Sequence, residues 1–201
     1  KTTLKLEMLL NIEKQVSILV KNTILFAKGL PANNILLWGD RGTGKSSLIY
    51  LAFEKIYKKN KVSMIEIKNN RLENLSFLIE KLSNYKGRYI IFCDDFSFNH
   101  NTKDIAIFKN ILDGSLRKTS NVIFYATSNF RHMVKEYNVS LENKILEKEK
   151  IDDITALSDR FGIWLSFPTF NKEEYLKIVD CYCSYYKINI SKDVLIKKAM
   201  Q

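Results

Sequence analysis

The sequence predicts an α/β fold: a parallel sheet covered by helices on both faces, with a small helical lobe after it. Three observations predict it. Five short apolar runs are unbroken rather than alternating, as strands buried on both faces are. Segments with helical apolar spacing stand between them. A glycine-rich turn joins the first run to the helix that follows. Such alternation argues for parallel strands, because each parallel crossover needs a helix-length connection.

Residues 3–28 carry Leu4, Leu9, Ile12, Val16, Leu19, Val20 and Ile24 at near-helical spacing, which predicts one or two amphipathic helices. Leu30-Pro31-Ala32-Asn33 breaks that pattern. Residues 34–38 (NILLW) predict the first strand, and 45–58 the helix after the turn. Residues 62–67 predict the second strand. Leu72, Leu75, Leu78, Ile79 and Leu82 share one face of a helix over 71–83. A strand at 89–93, a helix at 104–116 and a strand at 121–126 follow. Residues 131–137 read as a short helix, 138–153 as a charged loop, 153–160 as a helix and 163–167 as the fifth strand.

After Pro168 the character changes, with helices at 172–186 and 191–201 and no strand between. Tyr175, Leu176, Val179, Cys183 and Tyr186 form a stripe expected to be the core of this lobe. The division is N-terminal helices at 1–29, a core at 30–168 and a helical lid at 169–201. The chain starts at Lys1 rather than Met and stops at Gln201 within a helical pattern, so a fragment with a truncated lid is expected.

Composition excludes several classes. With 201 residues, 46% hydrophobic, 27% charged and only 2 Pro, disorder and collagen-like repeats are out. The net charge of +10 suggests an anionic partner, nucleic acid or an acidic membrane surface. Most of that charge is Lys, and Lys, Asn and Ile are abundant together, as an AT-rich genome produces without selection for binding. Nucleic acid is therefore weakly supported. The 3 Cys contain no CxxC pair and His numbers only 2, which argues against a disulfide framework and a zinc site. A reducing, cytoplasmic setting is expected. No apolar stretch reaches membrane-spanning length, since Lys21 and Asn22 interrupt the longest.

Gly39-Asp40-Arg41-Gly42-Thr43-Gly44-Lys45-Ser46 matches G-x-x-x-x-G-K-[ST]. Chance matches in a chain of this composition number on the order of 0.004. Gly42 and Gly44 free the backbone to turn its N–H groups inward. Those groups and the following helix N-terminus form an anion nest. Lys45 is placed to reach the β- and γ-phosphates, and the Ser46 hydroxyl to ligate Mg²⁺. With Ser47 in the first helical turn, residues 39–47 form the expected nucleotide-binding set.

Tyr89-Ile90-Ile91-Phe92-Cys93-Asp94-Asp95 is a strand running into two acids. Asp94 is assigned to Mg²⁺, directly or through water, and Asp95 to the attacking water. The plain alternative is a pair of loop or helix-cap residues. Val122-Ile123-Phe124-Tyr125-Ala126-Thr127-Ser128-Asn129 is a second buried strand with a polar end. Asn129 either senses the γ-phosphate or caps a short helix. Arg160 ends a predicted helix, where a cation is favourable by roughly 0.3–1 kcal/mol. Its sharper reading is an arginine finger for a neighbouring subunit's nucleotide. Among other features, Arg131-His132 reads as a surface helix start, His100 as solvated, and the cluster Lys55, Lys58, Lys59 and Lys61 as a solvated helix end.

The order of these motifs resembles the AAA+ ATPases, from about Leu30 to the end. The strings LPANNILLWGDRGTGKSSL, FCDDFSF, FYATSNFRH and LSDRFGIWLSF resemble a bacterial AAA+ family known as domain of unknown function 815. By that resemblance, 39–46 is Walker A, Asp94-Asp95 Walker B, Asn129 sensor 1 and Arg160 the finger position. It implies a P-loop NTPase with a five-stranded parallel sheet of order 5-1-4-3-2. It further implies ATP and Mg²⁺, assembly as a homo-oligomer, and remodelling or loading of a macromolecule. Two departures stand out. Walker B ends Asp-Asp where AAA+ proteins usually have Asp-Glu, a feature that helicase loaders can share. No Arg follows Arg160, so a sensor 2 Arg is expected beyond Gln201. A weakly hydrolysing nucleotide switch and a DNA-associated ATPase are the alternatives.

Overall fold

The computed structural model describes residues 5–57, 62–68, 74–96, 109–116, 119–129 and 160–199. Its strands are β1 (Ile35–Gly39), β2 (Val62–Ile67), β3 (Arg88–Cys93), β4 (Val122–Ser128) and β5 (Ile163–Phe167). All described pairings are parallel, and the order is β2-β3-β4-β1-β5. This is the expected 5-1-4-3-2 order read from the other edge. The helices are α1 (Glu13–Ala27), α2 (Lys45–Tyr57), α3 (Leu75–Ser83), α4 (Lys172–Tyr185) and α5 (Lys192–Ala199).

The unbroken apolar strands are explained by two cores, one on each face of the sheet. Alternate strand residues point to opposite faces. Leu36, Ile91, Cys93, Phe124 and Ala126 join Leu75, Ile79 and Leu82 of α3 on one face. Ile35, Leu37, Phe92, Tyr125 and Leu165 join Leu19 and Phe26 of α1 and Leu48, Ile49 and Ala52 of α2 on the other. Burial pushes the Cys93 thiol up to about 12, as fits a core residue.

The linker after α1 is fixed by directional bonds. The Asn22 side chain donates to the Asn33 carbonyl at 2.9 Å and accepts the Asn33 N–H at 2.9 Å. It also donates to the Tyr125 hydroxyl at 3.1 Å, which lies 2.9 Å from the Thr23 hydroxyl. All three side chains are buried, so these bonds satisfy polar groups that water cannot reach.

Several boundaries differ from expectation. The N-terminal pattern resolves into a 3-10 turn at Leu6–Met8 and the single helix α1, separated by Asn11 at φ 64°. β4 runs two residues past its predicted end. Thr127 and Ser128 are polar, yet they are buried and pair with Leu37 and Trp38 of β1. α3 is described from Leu75 onward. In 109–116 the chain forms a π-helical turn at Ile111–Ser115, closed by Leu116 N–H donating to the Ile111 carbonyl at 3.0 Å. The expected helix at 131–137, the loop at 138–153 and all but the last residue of the expected helix at 153–160 lie outside the described residues. So do His100, Arg131, His132, Lys58, Lys59 and Lys61.

The lobe departs from its expected packing. α4 starts on a capping box between Asn171 and Glu174. None of its residues is buried, and Tyr175 and Tyr186 are exposed. The two described helices are too little structure to enclose the Tyr175–Tyr186 stripe as a core. Among the described residues, no helix is long and apolar enough to cross a membrane, and no cluster of His, Cys, Asp or Glu is placed to hold a metal by itself.

Candidate functional site

The site lies at the C-terminal ends of β1, β3 and β4, where loops leaving adjacent strands converge. β1 ends at Gly39 with φ 139°, and a Cβ there would lie 2.1 Å from the Phe167 carbonyl oxygen. Only glycine lets β1 approach β5 so closely. The chain then turns through Gly42 (φ 77°) and Gly44 (φ 93°) into α2. Thr43 braces the turn, its hydroxyl donating to the Asp40 carbonyl at 2.8 Å. Arg41, Gly42, Thr43, Gly44, Lys45, Ser46 and Ser47 line one cleft of about 410 Å³ with Asp94, Asp95, Thr127 and Asn129. That volume falls in the usual range of small-molecule sites, roughly 300–1,000 Å³.

Lys45 is 5% exposed. Its ammonium donates to the carbonyls of Gly39 at 2.9 Å and Asp40 at 2.5 Å. Burial lowers its pKa, with the carboxylates of Asp40, Asp95 and Asp94 pulling the other way. A buried cation held by carbonyl dipoles suits an incoming anion, which supplies the charge that burial removes.

Ser46 and Asp94 meet as the motif spacing suggests. The Ser46 hydroxyl donates to Asp94 Oδ1 at 2.6 Å. The same oxygen accepts from the Thr127 hydroxyl at 2.5 Å. Thr127 in turn accepts the Asp95 N–H at 2.8 Å. One carboxylate is thus aligned from two strands towards the first turn of α2. Oxygen donors of this kind, beside a phosphate nest, suit Mg²⁺.

Asp95 sits at φ 53°, in the left-handed region. Asp and Asn tolerate that region better than longer side chains do. The backbone here therefore gives a local reason for Asp rather than Glu in the second acidic position. Asn129 donates its side-chain amide to Asp95 Oδ1. Arg41 lies 3.7 Å from Asp95 Oδ2, but both are well exposed and the pair is worth little. Asp40 faces elsewhere: its carboxylate accepts from the Thr169 hydroxyl at 2.6 Å, tying the loop to the segment before α4.

Arg160 is not brought to this cleft. It lines a separate cavity of about 470 Å³ with Asn33, Asn34, Val122 and Gly162, at the N-terminal ends of the strands. Its Nε donates to Asp113 Oδ2 at 2.5 Å.

The remaining wall of this cleft escapes motif reading. Met8, Leu9, Leu10 and Ile12 close one side, and Phe170, Ile178 and Tyr182 another. Ile178 and Tyr182 are an i,i+4 pair along the border of the stripe noted above on α4, the one available sequence signal. Thr127 is signalled only as a polar residue ending a buried strand.

A family model described as a protein of unknown function (DUF815) matches residues 1–201. The chain belongs to this family. No curated protein matches it. Among solved structures it is similar to the Thermotoga maritima RuvB Holliday junction branch migration motor, at TM-score 0.58 and 15% identity over 94% of this chain and 55% of that one. It is also similar to Cdc6p from Pyrobaculum aerophilum, at TM-score 0.67 and 14% identity over 99% and 56% of the two chains. A third is the Aeropyrum pernix ORC1 protein in complex with DNA, at TM-score 0.62 and 17% identity over 91% and 53%. The chain spans about half the length of these structures. At such identities the likeness establishes the fold, which is that of the AAA+ P-loop ATPases.

Proposed function

We propose that this DUF815 chain carries an AAA+ ATPase core that binds ATP with Mg²⁺ and hydrolyses it. Hydrolysis is coupled to remodelling or loading of a macromolecule by a homo-oligomer. The observation that carries this reading is the Ser46 hydroxyl 2.6 Å from the Asp94 carboxylate, beside the buried Lys45 ammonium. Residues 39–47 cradle the phosphates, and Ser46 and Asp94 hold the metal. Bound Mg²⁺ supplies neutralisation of charge on the phosphoryl group being transferred.

Asp95 orients the attacking water and accepts its proton as the bond from the γ-phosphorus to the β–γ bridging oxygen breaks, giving ADP and phosphate. Asn129 donates to the γ-phosphate or to that water. Arg160 completes the site of a neighbouring subunit, since it lies apart from the cleft of its own chain.

The test is ATP binding and turnover of the intact protein across a range of concentrations. Turnover per subunit should rise with concentration, and Arg160→Ala should cut it by about 10³-fold or more with ATP affinity retained. Turnover independent of both concentration and Arg160 overturns the inter-subunit part. Failure of ATP to bind overturns the whole reading.

A second reading is a nucleotide switch with little hydrolysis. It is favoured by the shorter acid at 95, already engaged by Asn129. Tight ATP binding without turnover selects it. A DNA-associated ATPase draws support from the +10 charge and from similar proteins described with DNA or a Holliday junction. Phosphate contacts of that kind weaken steeply with salt. Absence of DNA binding at low salt removes this reading.

A further inference from the structure

The parallel topology separates Arg160 from its own phosphate loop. Gly39 pairs with Phe167 at the far end of β5, while Arg160 stands three residues before Ile163 at the near end. Five residues at about 3.3 Å each place the length of the strand, ~17 Å, between them. On the ATPase reading Arg160 meets a nucleotide across a subunit boundary, and the contacts it makes within its own chain set its aim.

We propose that Asp113 is a positioning residue for Arg160, holding the guanidinium in the orientation that a neighbouring subunit's γ-phosphate requires. The inference rests on the ATPase reading above. An arginine at a boundary is long and flexible, and one charge-assisted bond to its inner nitrogen fixes most of the chain leading to the head. The observed bond has that form: Nε to Asp113 Oδ2 at 2.5 Å, with the two side chains 27% and 38% exposed. Partial burial of both protects the pair from the screening that weakens surface bridges.

Asp113 is itself placed by an unusual local structure. Ile111, Leu112 and Leu116 are all buried. A regular helix of 3.6 residues per turn would spread these three over an arc of about 140°. The π-helical turn at Ile111–Ser115 takes more residues per turn and gathers them onto a narrower face, with Asp113 beyond its edge. Such turns often occur where function demands a particular side-chain direction. Asp113 contributes nothing to the phosphate cleft, so its effect on turnover must pass through Arg160.

The experiment is a double-mutant cycle on the intact, assembled protein, with turnover, ATP affinity and thermal stability read for each variant. Asp113→Ala and Asp113→Asn should lower turnover at least 10-fold with ATP affinity unchanged. Asp113→Glu should recover part of it. In an Arg160→Ala background, Asp113→Asn should lower turnover no further. Should Asp113→Ala fail to fold, the isosteric Asp113→Asn carries the cycle. A loss that persists in the Arg160→Ala background marks a purely structural pin and overturns the proposal. So does a rise in turnover, which would mean that Asp113 holds Arg160 back. If Arg160→Ala leaves turnover unchanged, the finger reading fails, and this one with it. If Arg160→Ala lowers turnover and neither Asp113 variant does, only this proposal fails.

Discussion

Thr127 on β4 hydrogen-bonds Asp94 at the end of β3, with 2.5 Å between the hydroxyl and Oδ1. The contact spans two adjacent strands and adds to the bond from Ser46. Thr127 therefore acts on the proposed metal position through Asp94, without being one of the proposed ligands itself.

Thr127→Val keeps the shape and removes the hydroxyl. It should destabilise the protein by about 1–3 kcal/mol, because it disturbs buried hydrogen bonds. It should also raise the Mg²⁺ concentration needed for half-maximal turnover. Thr127→Ser should restore both. Thermal melts and a Mg²⁺ titration of ATPase activity check this; an unchanged Mg²⁺ requirement removes the role given to Thr127.

Lys45 gives a pH prediction. Its pKa is lowered in the folded protein, chiefly by burial. The unfolded chain therefore keeps this proton to higher pH than the folded one. Its burial penalty is fully present below the folded pKa and is relieved as pH rises through it, so this group makes stability rise with pH there. Phosphate binding needs the charged form. ATP affinity should thus fall on the alkaline side before pH 10.5, the ordinary value for lysine, while Lys45→Arg should lack this fall. Binding measured from pH 7 upward decides it; parallel curves for the two proteins would exclude a lowered pKa.

The loop glycines should separate strain from function. At Gly39 an added Cβ meets the Phe167 carbonyl at 2.1 Å, whereas at Gly42 nothing lies within 4 Å. Gly39→Ala should cost about 3 kcal/mol or more, through strain and forced backbone movement. Gly42→Ala should cost only about 1–2 kcal/mol, from its left-handed φ. Denaturant unfolding ranks them; equal costs would show that β5 yields at Phe167.

Asp95 separates binding from turnover. Asp95→Asn should keep ATP affinity within a few-fold and abolish hydrolysis. Asp95→Glu should cost about 1 kcal/mol, because the longer residue fits φ 53° less well. A fully stable Asp95→Glu protein with faster turnover would contradict the backbone account of this position.

The groups proposed to hold the ligand could be picked out in the sequence because their chemistry is local. Lys45 and Ser46 lie in one fixed-spacing loop, and Asp94 follows an apolar strand that has few ways to pack. Strand order could be read only through family resemblance, since spacing does not say that β4 inserts between β1 and β3. Met8, Phe170 and Tyr182 were missed because apolar residues that line a cleft look like apolar residues that fill a core. The stripe from Tyr175 to Tyr186 failed for the same reason in reverse: helical period identifies a face but not what covers it. The end of β4 was misplaced because Thr127 and Ser128 read as loop chemistry, while pairing with β1 keeps them in the sheet.

The bond pair between Asn22 and Asn33 has a consequence for the cleft at the other end of β1. A side-chain amide that both gives and takes a hydrogen bond with one backbone residue admits a single axial setting of α1. Sliding the helix by one residue breaks both bonds and the contact with Tyr125. Met8 to Ile12 lead directly into that helix, so α1 works as a ruler with its zero mark at Asn33. The apolar wall of the cleft is thereby gauged from the opposite end of the sheet, and an error at Asn22 would be carried to the lining residues Met8, Leu9, Leu10 and Ile12.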